Sequence, residues 1–155
     1  MDHIRLSPRL QMVADFVPPC ACAADIGTDH GYLPVWLLQS GVIQSAIAAD
    51  IHAGPLANAR QSAAAYDLEE RFRFVQADGL QFSGAQAADV ITIAGMGGET
   101  ICAILAAAPW LQQQGKQLVL QPQSKVTELT DWVWHSGFTV SYTHLRAHET
   151  PEHLV

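Results

Sequence analysis

The stretch Asp25-Ile26-Gly27-Thr28-Asp29-His30-Gly31-Tyr32-Leu33-Pro34 limits the fold more than any other part of this chain. A small apolar run, Ala21 to Ala24, leads into it, and another, Val35 to Leu38, leads out. That is the outline of a buried strand, a glycine turn and the start of a helix. Gly27 and Gly31 fall where strand becomes helix. Glycine there lets the backbone take positive φ and approach a ligand closely. Amides at the helix start are expected to face a negatively charged ligand group, helped by the helix dipole. The spacing is G-x-x-x-G, not the G-x-G-x-x-G of dinucleotide sites, and the loop carries its own carboxylate, Asp29. That carboxylate repels a pyrophosphate and attracts a ligand with a cationic amino-acid end.

At 155 residues the chain is long enough for one domain with a sizeable core. An apolar content of 49% and a net charge of -7 mark a globular protein and argue against a general nucleic-acid coat, though they leave room for a local basic patch. No apolar run approaches the roughly 18 residues of a membrane span, and Met1-Asp2-His3-Ile4-Arg5 begins no signal-peptide core. Cys20, Cys22 and Cys102 are odd in number and form no C-x-x-C pair, so no zinc site is expected. They read as reduced core thiols of a cytoplasmic protein.

Along the chain, strand and helix patterns alternate. Leu6 to Val17 reads as a helix, with Ser7 as its cap, Pro8 in its first turn and Leu6, Leu10, Val13 and Val17 on one face. Arg5 and Arg9 near its start are either solvated or phosphate contacts. After the first strand (Ala21–Ile26) and loop come a helix, Tyr32–Gln39, and a second strand, Ser45–Asp50. Asp50 ends that strand where a Rossmann-type fold binds ribose hydroxyls, and a carboxylate suits a diol. S-adenosylmethionine joins such a ribose to a sulfonium and a zwitterionic tail. Then follow a helix from Gly54-Pro55 to Tyr66 and a strand, Phe72–Gln76. Asp78-Gly79 comes next, either a turn or a group reaching an adenine edge. Asp89–Ala94 is a β-branched buried strand, and Gly95-Met96-Gly97-Gly98 is a second glycine loop before the helix Glu99–Ala108. Lys116–Leu120 is a fifth strand, followed by Gln121-Pro122-Gln123, whose amides either read a flat heterocycle or form a polar turn. A helix over Val126–His135 and a sixth strand beginning at Gly137–Val140 complete an α/β fold with a mainly parallel, doubly wound sheet. His148-Glu149-Thr150-Pro151-Glu152-His153 fits no metal motif, because H-E-x-x-H needs histidine where Glu152 stands and Pro151 breaks the helix.

Taken together, Leu6-Ser7-Pro8-Arg9-Leu10, the Ala24–Pro34 block, Gly54-Pro55-Leu56, Asp78-Gly79-Leu80, Ile93-Ala94-Gly95-Met96-Gly97-Gly98 and Leu120-Gln121-Pro122 resemble the bacterial TrmK family of tRNA adenine-N1 methyltransferases. The resemblance covers roughly Leu6 to Val140. It implies a Rossmann-like class I S-adenosylmethionine-dependent methyltransferase fold, three layers α/β/α, here lacking the last strand. It also implies a tRNA partner, with adenine 22 as the target. The family has asparagine where Gln123 stands. It continues past Val140 with more strands and a coiled-coil domain, whereas Ser141–Val155 matches nothing of it. The expected organisation is therefore a methyltransferase domain over 1–140 and an atypical, non-native tail over 141–155.

Carried over by position, the resemblance implies that Asp25, Gly27, Thr28, Asp29, His30 and Gly31 surround the methionine end of S-adenosylmethionine. Asp50 takes the ribose, Ile51 the adenine face, Asp78 and Gly79 the adenine edge, and Gly95 and Met96 the sulfonium. Asp29 is the expected catalytic carboxylate, with Arg5, Arg9, Tyr32, Gln121 and Pro122 toward the substrate. Three rivals remain. An NAD oxidoreductase would share Asp50 but lacks the glycine fingerprint. A small-molecule methyltransferase would share the whole cofactor half. A cofactor-binding remnant would keep the cleft without acting on tRNA.

Overall fold

Ser7 opens the first helix, α1 (Pro8–Asp15): its hydroxyl accepts from the Leu10 amide at 3.3 Å, and Pro8 sits where a missing N–H is no loss. The computed structural model describes residues 2–140. After α1 come β1 (Cys20–Ile26), α2 (Tyr32–Gln39), β2 (Ile43–Asp50), α3 (Ala53–Ala65), β3 (Phe72–Gln76), β4 (Val90–Ala94), α4 (Gly98–Ala106), α5 (Trp110–Gln113), β5 (Gln117–Gln121) and α6 (Val126–His135). Every strand pairing is parallel, and the order across the sheet is β3-β2-β1-β4-β5. The chain starts at the centre, winds outward through β2 and β3, and crosses back to lay β4 beside β1. Ligands bind at such a reversal, outside the carboxyl ends of the strands.

The alternation of side chains along buried strands divides the core in two. On one face Ala23, Ile43, Ala46, Val90 and Val119 pack with Val13, Ala14 and Val17 near α1 and Leu33, Leu37 and Leu38 of α2. On the other, Ala24, Ile26, Ile91, Ile93 and Leu120 pack with Ile101, Ile104 and Leu105 of α4, Leu111 of α5 and Leu129 and Val133 of α6. The result is three layers, helix, sheet, helix, as the sequence implies.

Two stretches differ from the sequence reading. The single turn α5 was not expected, because four residues after Pro109 are too few to display a helical period. Gly137–Val140 does not begin a strand. Gly137 takes φ +94°, its N–H donates to Trp134 O at 3.2 Å and the Phe138 N–H to Val133 O at 3.0 Å. These bonds close the carboxyl end of α6 and engage the Gly137 and Phe138 amides, which a sheet ladder would otherwise draw on. Among the described residues the sheet therefore has five strands, with β5 at one edge beside an apolar groove of about 400 Å³. The expectations for 141–155 lie outside the described residues.

Beyond their ends β4 and β5 stay locked together: Gly97 bridges to Ser124, and the Gly98 N–H donates to Ser124 O at 2.8 Å. A Cβ on Gly98 would lie 2.5 Å from Lys125 O and 2.7 Å from Ser124 O, both backbone atoms that cannot rotate away. Gly98→Ala should cost about 3 kcal/mol, a drop of roughly 6–12 °C in Tm. Gly54→Ala, with nothing within 4 Å of its Cβ, should leave Tm unchanged or slightly raised. Thermal unfolding of the two variants checks this, and equal Tm values would contradict it.

Candidate functional site

The site is built on the β1–β4 pair. Asp25 and Thr92 stand in register across it, and the Thr92 hydroxyl donates to Asp25 Oδ1 at 2.8 Å. Asp25 is only 7% exposed. Burial pushes its carboxyl up to about 6, and the Asp50 charge adds to this; the Thr92 and Thr28 hydroxyls and the Arg9 guanidinium pull it down. The Thr28 hydroxyl lies near enough to favour the carboxylate without completing a hydrogen bond, so its buried oxygen has no partner. That is a buried polar atom beside a cleft, the kind of group a bound ligand satisfies.

The loop after β1 is stapled to the end of β2. The Gly27 and Thr28 amides donate to Ala49 O at 2.9 and 3.0 Å, and the Gly31 amide to Thr28 O at 2.9 Å. Asp50 holds the next turn with both oxygens: the His52 amide donates to Oδ1 at 3.0 Å and the Asp29 amide to Oδ2 at 3.4 Å. These five amides are therefore engaged within the protein. Gly27 has φ +72°, and a Cβ there would run into the end of the Met96 side chain, so the glycine lets the two loops meet. Gly31 does not line the cleft. It faces Ala59, whose Cβ would lie 3.0 Å from a side chain at that position, so its part is to let α2 approach α3. Asp29 takes φ 55°, and its side chain is 71% exposed, with Oδ1 3.9 Å from His30 Nε2. The His30 and Tyr32 rings stack, centroids 5.1 Å apart.

The loop after β4 is held from the other side. Its Gly95 N–H donates to Gln121 O at 2.9 Å. The Gln121 side chain, 3% exposed, accepts from Arg9 Nη1 at 3.1 Å and donates to Pro122 O at 3.3 Å. Arg9 thus reaches from α1 across Gly95 to the end of β5.

These loops enclose a cleft of about 480 Å³ at the carboxyl ends of the strands, in the range of small-molecule sites. Asp25, Asp29, Asp50 and Asp78 all line it, with Arg9 and the histidines His30 and His52. Ile51, 53% exposed at its wall, offers an apolar face. Four carboxylates and bonded amides suit a ligand that is cationic in part and carries a diol; they do not suit a diphosphate. Among the described residues no group of three or more histidine, cysteine or acidic side chains could hold a metal ion, and no helix is long and apolar enough to cross a membrane.

A family profile described as a methyltransferase domain matches residues 6–150. The chain belongs to this methyltransferase-domain family. Within it, the chain is 36% identical over 140 residues to the tRNA (adenine(22)-N(1))-methyltransferase of Bacillus subtilis, covering 90% of this chain and 59% of that protein. A Streptococcus pneumoniae protein assigned as a tRNA methyltransferase is 36% identical, with a TM-score of 0.85, over 97% of this chain and 69% of its own. Its complex with S-adenosyl-L-methionine superposes at a TM-score of 0.84, with 34% identity, over 97% and 71% of the two chains. The resemblance to the TrmK family read from the motifs is thereby shown, and this chain spans about three-fifths of the length of the Bacillus relative.

In this methyltransferase domain the cleft gathers most of the residues named from sequence. Asp25, Gly27, Thr28, Asp29, His30, Asp50, Ile51, Asp78, Gly79, Gly95 and Met96 all line it, as do Arg9 and Tyr32. Gln121 and Pro122, expected toward the substrate, are buried and do not line it; Gln121 is turned inward to hold Arg9. Arg5 is exposed in a separate hollow with His3, Trp36 and Tyr66. Sequence reasoning missed His52, Thr100 and Ile104 on the cleft wall. His52, two residues past Asp50, could have been found as the residue whose amide the Asp50 side chain caps. Thr100 and Ile104 share one face of α4 at four-residue spacing, but nothing in that spacing distinguishes a cleft wall from a core.

Proposed function

We propose that this chain binds S-adenosylmethionine and transfers its methyl group to N1 of an adenine in tRNA, at nucleotide 22 as named for the Bacillus relative. The observation that carries the reading is the cleft's chemistry: four carboxylates around a pocket in which the Gly27, Thr28, Asp29 and Gly31 amides are already bonded. Bound there, S-adenosylmethionine would supply a methyl group activated by its sulfonium. Asp50 accepts from the ribose hydroxyls, Ile51 packs on the adenine face, and Asp78 and Gly79 meet its edge. Gly27, Gly95 and Met96 border the sulfonium region. Asp25, Thr28 and Asp29 hold the ammonium.

Little acid–base work is required, because adenine N1 carries its lone pair in the neutral base. The residues align nucleophile, methyl and sulfur and exclude water, which is worth several kcal/mol. Attack leaves positive charge on the base, and Asp29 is the catalytic carboxylate that faces it. While exposed, that carboxylate is screened by water; it gains strength when the bound tRNA covers the rim. N1 lies on the pairing edge, so the adenine must leave its stack, and the His30–Tyr32 pair offers a ring for it to rest on. The three free thiols, pushed up by burial, fit a reducing compartment, the cytoplasm.

The test is to incubate the chain with S-adenosylmethionine and tRNA transcripts carrying adenine or guanine at nucleotide 22, and to measure 1-methyladenosine by mass spectrometry. Product from the adenine transcript alone is expected. A chain that binds S-adenosylhomocysteine yet forms no product would be a cofactor-binding module instead. In the active chain, Asp29→Asn keeps a residue tolerant of positive φ and removes the charge. Its single-turnover rate at saturating S-adenosylmethionine should fall at least roughly 10-fold, in addition to the loss of affinity from taking one charge away from the ammonium. An unchanged rate would remove Asp29 from the chemistry.

A further inference from the structure

We infer that Arg9 is the residue that reads the carboxylate of the ligand's amino-acid tail, and that Gln121 is the positioning residue that aims it. The inference rests on the reading that the ligand is S-adenosylmethionine or its product. Among the described residues lining the cleft, Arg9 is the one lysine or arginine, set among Asp25, Asp29, Asp50 and Asp78. A zwitterionic tail entering that cleft meets carboxylates that welcome its ammonium and repel its carboxylate. The amides of Gly27, Thr28, Asp29 and Gly31 offer the carboxylate nothing, since each already donates within the protein. Arg9 is the cation in place to receive it.

The geometry is that of a held side chain. Gln121 is buried, and its amide is fixed at both ends: Nε2 donates to Pro122 O and Oε1 accepts from Arg9 Nη1. Among the described residues Gln121 is the only hydrogen-bond partner of the guanidinium, and Arg9 forms no ion pair. One edge of the fork is anchored and its other donors remain for an anion, the planar recognition at which arginine excels. Gly95 makes room for this: a Cβ there would lie 3.2 Å from Arg9 Nη1. The glycine of the second loop therefore clears a path for α1's arginine as well as for the ligand. This goes beyond the sequence reading, which left Arg9 as either solvated or a phosphate contact.

The experiment compares two ligands on the full chain by calorimetry. One is S-adenosylhomocysteine; the other is the same thioether with the carboxylate replaced by hydrogen, which keeps the adenosine and the amine. The chain should prefer the first by roughly 10- to 100-fold, the worth of a charge-assisted hydrogen bond. Arg9→Gln should cut that preference to within about 3-fold, by weakening the first ligand and sparing the second. Arg9→Lys, which keeps the charge but not the fork, should retain part of the preference and serves if the glutamine variant does not fold. Asp50→Asn should weaken both ligands equally and leave the preference intact. A preference unchanged in the Arg9 variants, or an equal loss on both ligands, would overturn the inference. Equal affinity of the unaltered chain for the two ligands would overturn it while leaving the cofactor reading standing. Binding of neither would bring both down.

Discussion

Asp50→Ala should lower affinity for S-adenosylhomocysteine roughly 100-fold or more, the largest single effect expected in the cleft. Two hydroxyls donating to one carboxylate are each worth about 1.5–3 kcal/mol as hydrogen bonds to a charged group, and a diol left without its acceptor stays desolvated. Asp50 also does local structural work. Its two oxygens receive the His52 and Asp29 amides, so its removal loosens the turn after β2 and the loop after β1 together. Asp50→Asn separates the two parts. It keeps one acceptor of the same shape and should lose only about 10-fold. Calorimetric titration of both variants checks the order, and an alanine variant that binds normally would place the ribose elsewhere.

Asp25→Asn should make the chain more stable at pH 7 and weaken its ligand binding. In the fold Asp25 titrates at about 6, against 3.8 for the ordinary group. Below the ordinary value the carboxyl is neutral in both states, and burying it incurs no charge penalty. Between the two values the unfolded chain releases the proton and the folded chain keeps it, so stability falls as pH rises; above about 6 the loss is complete. A gap of this size corresponds to about 3 kcal/mol at neutral pH. Asparagine keeps an oxygen for the Thr92 hydroxyl, carries no charge, and places an N–H₂ near the unpartnered Thr28 oxygen. The variant should gain roughly 6–12 °C in Tm at pH 7, with the gain fading toward pH 4. Cofactor affinity should fall, because the ammonium loses a charged acceptor. Thermal melts across pH check the sign, and a lower Tm at pH 7 would contradict it.

The retention of such a costly carboxylate is what a binding site requires, and it shows where sequence reading ends. The strand, loop and helix alternation was legible because the parallel strands are short runs bounded by turn residues, Gly27 after β1 and Gly95 after β4 among them; α2 follows the expected bounds to the residue. That Asp50 reaches the cleft was legible because its place depends on one strand end. Arg9 and Gln121 were not, because their meeting depends on how α1 crosses the sheet to reach β4 and β5. No local pattern records that crossing, and Gln121, expected toward the substrate, is turned inward instead. Gly31 shows the same limit. Its positive φ was foreseeable, but whether a left-handed glycine faces a ligand or a neighbouring helix depends on α3, and Ala59 decides it.

On the function proposed above, this cleft takes an adenosyl thioether with an amino-acid tail. Calorimetric titration of the full chain with S-adenosylhomocysteine, with NAD as the comparison, tests it most directly. One site for S-adenosylhomocysteine is expected and no detectable heat from NAD, because Asp29 faces the incoming diphosphate and the Gly27, Thr28, Asp29 and Gly31 amides are already bonded. Binding of NAD, or of neither ligand by a folded sample, would contradict it.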